Sequence, residues 1–243
     1  MGQVKKGMVN MEIIPARIFN SLYIYIDSVW LIAIFVILIL TKRHLAIIVG
    51  IIGGIIYFAV DYGIFYLLLG TREVTGASTL LILIWLSISY GFTNFAWIWL
   101  WLDRDRHSLE WSLLFIMGWV ATALLSQSFG DDFLSISIQR GTTSYHGIMA
   151  LLMLIGYMIL IIKNIMNQEQ SKKINILRIF SIGVLVQFSW EAILLISGIR
   201  TMGVMPLIVN SLIETNMGLP YLFLIHSAVN SKYGENLRKK LKQ

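Results

Sequence analysis

The chain has no cysteine, which removes disulfides, thiolate nucleophiles and cysteine metal sites from consideration. Charge is scarce too: Asp, Glu, Lys and Arg make up 13% of 243 residues, against about 25% in an ordinary soluble domain. A separate soluble domain therefore has no room. Lysine is missing from the interior of every long apolar run, which excludes a retinal Schiff base. The four histidines are scattered, with His44, His107 and His226 towards one side and His146 towards the other, so they form no metal or haem set. No G-x-S-x-G, H-E-x-x-H or P-loop pattern occurs. No cleavable signal peptide is expected, because Lys5 and Lys6 are followed by a mixed segment and no small-residue cleavage site follows the first apolar run.

Apolar residues make up 57% of the chain, the mean hydropathy is +0.76, and apolar runs near twenty residues recur along the whole length. Runs of that kind read as an all-α membrane protein. Strands are not expected, since the runs are continuous rather than alternating. Seven transmembrane helices are expected at about 22–41, 45–70, 78–102, 110–127, 144–163, 175–197 and 205–228. Residues 1–21 form an N-terminal segment, of which 11–22 has the composition of a short interfacial helix, and 229–243 form a basic tail.

Basic residues orient the spans. Thirteen flank the loops after spans one, three and five and the tail: Lys42, Arg43, Arg104, Arg106, Lys163, Lys172, Lys173, Arg178, Lys232, Arg238, Lys239, Lys240 and Lys242. The opposite loops carry three: Arg72, Arg140 and Arg200. This asymmetry predicts an N-terminus outside and a C-terminus in the cytoplasm of a cell membrane, read as a bacterial one from the short loops and lack of cysteine. The N-terminal segment, with Lys5, Lys6 and Arg17, dissents. Topology accounts for the net charge of +6, and no nucleic-acid partner is expected. Trp97, Trp99, Trp101 and Trp111 are expected in an interfacial belt, while Trp85 and Trp190 lie deeper and imply packing or stacking on a ligand.

The stretch YFAVDYGIFYLLLGTR at 57–72 returns in altered form as QFSWEAILLISGIR at 187–200. Each copy sets a carboxylate (Asp61, Glu191) in an apolar run, then a glycine (Gly70, Gly198), then an arginine two residues on (Arg72, Arg200). Gly91 and Gly218 follow at nearly matching distances. An Asp at a helix centre costs about 2.5–3.5 kcal/mol even on lenient scales. Two at matching positions point to a duplication: one domain built as 3+1+3, with 22–102 as repeat one, 110–127 as linker helix and 144–228 as repeat two.

This 3+1+3 plan resembles the arrangement of the SWEET sugar transporters and of the vitamin-precursor carriers that share it. The resemblance implies a solute carrier with a pseudo-two-fold axis along the membrane normal. The chain lacks that superfamily's proline-glutamine signature and has no proline in its first span, so no residue roles are carried over.

Candidate solute-binding residues are Asp61, Glu191 and Glu214, the neutral polar groups Asn94, Gln187 and Asn210, and the aromatics Trp85, Trp190 and Tyr90. Polar groups concentrate in spans two, three, six and seven, which predicts four inner helices and an outer layer of spans one, four and five. Arg72 and Arg200 stand at the outer mouth, where they anchor at headgroups, draw anions inward, or pair with Asp61 and Glu191 as a gate. A surface pair of Arg72 with Glu73 is the plainer alternative. The long loop after span four, with Asp131, Asp132, Arg140 and His146, is a candidate lid. The first expectation is a secondary transporter of a small polar solute or proton, with no cofactor and no metal. The alternatives are a membrane-embedded enzyme using the carboxylates as acid and base on a lipid-like substrate, and a non-catalytic receptor, assembly or immunity-type protein.

Overall fold

The structure, a computed structural model, describes residues 17–141, 145–170, 173–201, 203–204 and 206–240, with side chains omitted at 206 and 232–240. Strand β1 (Arg17–Asn20) leads into α1 (Ser21–Leu40). Next come α2 (His44–Phe58), continued as a π-helix over Ala59–Leu68, then β2 (Arg72–Thr75), α3 (Thr79–Leu102), α4 (Ser108–Phe129) and β3 (Ser135–Arg140). The chain closes with α5 (His146–Met166), α6 (Ile176–Ile196), a π-helical entry at Pro206–Asn210, and α7 (Ser211–Lys240). Among the described residues seven helices are long and apolar enough to span a membrane, and the protein is a multi-pass membrane protein. Their ends fall within about three residues of the sequence expectation. Most of the described N-terminal segment, expected as an interfacial helix, is instead strand β1; residues 11–16 lie outside the described residues, as does most of the basic tail's side-chain structure.

The sequence reading left no place for strands, yet three short ones form an antiparallel sheet of order β1-β3-β2, with Arg17 opposite Ile138 and Arg72 opposite Arg140. A fourth connection joins them, since the Ile18 N–H donates to the Ile199 carbonyl at 2.8 Å. All the loops at this end of the bundle are thus stitched together. Backbone pairing there satisfies N–H and C=O groups that helices cannot reach.

Close packing dominates one seam. Gly53 and Gly54 of α2 lie directly on Gly91 of α3, where an added Cβ would fall 2.5 Å from the Gly54 Cα. Small residues let backbones approach in this way, replacing the absent hydrophobic drive with van der Waals contact. Gly218, the residue matched to Gly91 in the sequence, meets nothing within 4 Å. The two three-helix sets also pack differently, as α5 lies on α7 whereas α1 lies chiefly on α4.

Burial follows the expected layers only in part. The α3 and α6 spans are 72% and 61% buried, but α2 and α4 are equal at 33%. The cause is aromatic: Trp111, Phe115 and Trp119 of α4 are buried, with Trp119 edge-on to Trp190 of α6. Trp97 and Trp99 are likewise 1% exposed, so this cluster is core rather than the expected headgroup belt. Ser112 accepts the indole N–H groups of Trp97 and Trp101 at 2.8 and 3.0 Å.

Candidate functional site

The two carboxylate–glycine–arginine motifs fold alike. The π-helix ends at Gly70 with φ +60°, and α6 ends at Gly198 with φ +75°. A left-handed residue there closes the helix and reverses the chain: the Thr71 N–H reaches the Phe65 carbonyl at 2.8 Å, and the Arg200 N–H reaches Leu194 at 2.9 Å. Each arginine is thereby sent back along its own helix to the carboxylate. Arg72 Nε donates to Asp61 Oδ1 at 2.8 Å, and Arg200 Nη1 donates to Glu191 Oε2. Of the readings open for these arginines, pairing with Asp61 and Glu191 is the geometry found, and both are buried.

Each pair has a second arginine. Arg140, from β3, donates to Asp61 Oδ1 at 3.2 Å. Arg17, from β1, lies 3.8 Å from Glu191 Oε1 and donates to the Tyr90 hydroxyl. The sequence places Arg140 only in the candidate lid and gives Arg17 no site role; the alternation Ser135-Ile136-Ser137-Ile138 is a period-two strand signal, whereas Arg17-Ile18-Phe19-Asn20 carries none. The sheet therefore supplies three of the four guanidinium groups at the site, Arg17 from β1, Arg72 from β2 and Arg140 from β3.

Glu191 also accepts from Asn210 Nδ2 at 3.2 Å and from Gln187 Nε2 at 3.3 Å. Gln187 Nε2 donates to Glu214 Oε2 at 2.8 Å, and its own carbonyl accepts from Thr215 at 2.7 Å. Glu214 has no arginine partner within ion-pair distance among the described residues. The first half of the chain is joined to the second through Tyr90, which stands edge-on to Trp190 at 4.1 Å. Between them lies a cavity of about 20 Å³ lined by Tyr57, Asp61, Ser87, Tyr90, Arg140, Gln187 and Glu214, room for about one water-sized particle.

Electrostatics press on the arginines outside the helices. Burial, together with the neighbouring Arg140, brings Arg72 down to about 10. Burial and Arg17 lower Arg200 as well. Arg140 moves the other way: burial works against its charge, but Asp61 and Glu214 outweigh it and raise its pKa.

Asp61, Glu191, Glu214, Gln187, Asn210, Tyr90, Arg72 and Arg200 thus belong to one network. Asn94 lies one turn beyond Tyr90, buried but bonded to none of these groups. Trp85 points elsewhere, donating to Asp27 Oδ2 at 2.9 Å, and Trp190 is packed between Tyr90 and Trp119. Asp27, fully buried on α1, is a carboxylate that the sequence reading passed over. In the candidate lid, Arg140 enters the site, whereas Asp131 and Asp132 stay exposed. No protein-family profile, curated protein or solved structure matches the chain.

Proposed function

We propose that the protein is a secondary carrier of a small polar solute, seen with its site closed. One observation carries this reading: an ionic network drawn from both halves of the chain borders a small cavity at one end of the bundle. Ionisable groups in hydrocarbon are costly and mark solute or proton pathways by default. Two of the helices that contribute to the network leave regular α-geometry at it, α2 at Asp61 and the entry to α7 at Asn210. Irregular helices around a polar site are a recurrent feature of carriers, and π-turns favour functional sites.

On the basic-residue asymmetry, the sheet end faces outward in a cell membrane. The Arg72–Asp61 and Arg200–Glu191 pairs with the sheet above them form the closed outer gate. Movement of one three-helix set against the other opens it. An acid/base enzyme reading is less well supported, because both carboxylates of the duplicated motif are engaged by arginine rather than poised to exchange a proton with a substrate.

The test is solute-dependent flux in reconstituted vesicles, including proton movement, comparing the parent with Asp61→Asn and Glu191→Gln. The carrier reading expects flux in the parent and its loss in both variants. A folded parent that moves nothing across a broad solute panel overturns it.

A further inference from the structure

Four arginines (Arg17, Arg72, Arg140, Arg200) meet three carboxylates (Asp61, Glu191, Glu214) in this network. With every group ionised, four positive charges against three negative leave an excess of one. The arrangement sharpens the imbalance, because Asp61 serves two guanidinium groups and Glu191 serves two. Arg17, Arg72 and Arg200 are each more than nine-tenths buried. Uncompensated charge at such a site costs several kcal/mol, and an arginine cannot shed its proton near neutral pH to escape that cost.

A second observation is independent of the count. Each of the four arginines keeps at least one buried guanidinium nitrogen without a hydrogen-bond partner among the described residues: Arg17 Nε, Arg72 Nη1, Arg140 Nε and Arg200 Nε. The Ser87 hydroxyl, which lines the cavity, is also unpartnered. Buried polar groups left unpaired are uncommon and call for an acceptor. Of the residues with unpartnered donors, Arg140 and Ser87 border the cavity, beside Asp61, Gln187 and Glu214.

We infer that this cavity is an anion site, and that the solute carried is a small monovalent anion such as a halide or a short carboxylate. The inference rests on the carrier reading for transport, but the binding site stands or falls separately. An anion in the cavity cancels the excess charge, accepts from the unpartnered donors of Arg140 and Ser87 and needs no further cation. It also gives opening a cause: an entering anion competes with Asp61 and Glu191 for their arginines and loosens the gate pairs. Charge-assisted bonds from guanidinium to a carboxylate or halide are strong enough for that exchange.

The experiment measures thermal unfolding of the purified full chain while sodium gluconate is replaced by sodium chloride or sodium formate at constant ionic strength. The same series with choline in place of sodium tests for a cation effect. We expect saturable stabilisation by chloride or formate that is insensitive to the cation. Comparing the two salts decides between halide and carboxylate. Arg140→Gln removes the response, and Ser87→Ala, which disturbs folding least, weakens the apparent affinity about three- to ten-fold. No anion dependence in the parent overturns the inference, as does an equal response in Arg140→Gln or stabilisation that follows the cation. Anion binding without flux in vesicles would leave the site and remove the carrier. Flux of a neutral or cationic solute without anion binding would do the reverse.

Discussion

Arg200 closes on Glu191 nine residues earlier in the chain, and Gly198 makes the contact possible by taking a left-handed conformation between them. Asp61 and Arg72 repeat the device, with Gly70 as the turning residue. At both places the helix end and the ion pair are one structural unit.

Removing either carboxylate is expected to cost about 3–5 kcal/mol, because two buried arginines lose their shared partner, and removing Arg72 or Arg200 costs less, because the carboxylate keeps its second arginine. Arg200→Gln and Glu191→Gln each lower the unfolding temperature in detergent. The double variant loses less than the sum of the two, since the attraction between the two side chains is lost only once. Additive losses would show that the two side chains do not interact.

The turning glycines yield a cleaner prediction. An added Cβ at Gly70 or Gly198 meets no atom within 4 Å, so Gly70→Ala and Gly198→Ala probe backbone conformation alone. Each is expected to cost about 1–2 kcal/mol, and asparagine, which tolerates this region, less. Denaturation of the four variants decides it.

At the α2–α3 seam the cost is steric instead. Gly91→Ala drives a methyl group against the Gly54 backbone, 2.5 Å away, and is expected to destabilise by about 1–3 kcal/mol or more. Gly63→Ala, with nothing within 4 Å, serves as the helix control and leaves stability close to that of the parent.

At the end opposite the sheet, Arg43 Nε donates to Asp105 Oδ2 at 2.9 Å, clamping the α1–α2 and α3–α4 connections together. Partial burial raises the Asp105 pKa, but the Arg43 and His107 hydrogen bonds outweigh it and hold the carboxyl below its ordinary value. A depressed folded-state pKa contributes stability above the unfolded value of about 3.9, and that contribution is lost as pH falls through the folded value. Asp105→Asn is therefore less stable than the parent at neutral pH, by under about 1 kcal/mol for a pair this exposed. The difference disappears in acid. A gap that widens in acid would contradict this assignment.

Helix positions were legible in the sequence because apolar run length is set by membrane thickness, and the run ends coincide with Leu40, Leu102 and Ile196 to within a residue or two. The carboxylate–glycine–arginine motif was legible for a local reason: helix, turning glycine and returning arginine lie within a dozen residues. The sheet was not. Its strands are four to six residues long and far apart in the chain, only β3 alternates in period two, and their pairing is non-local. Without the sheet, Arg17 has no place at the site and Arg140 only one in the candidate lid, although both complete the network. Trp97 and Trp99 were misplaced because tryptophans near a helix end look alike in sequence whether they face headgroups or a neighbouring helix.

The most direct test of the carrier account uses the absence of cysteine in the natural chain. Ser87→Cys places one thiol at the cavity wall, and labelling with a membrane-impermeant maleimide is read in oriented vesicles. The reagent is added on either side, with and without chloride or formate. The account predicts labelling from both sides, with the anion shifting the balance between them. A folded protein whose thiol reacts from one side only, unchanged by any anion, or from neither side, would contradict it.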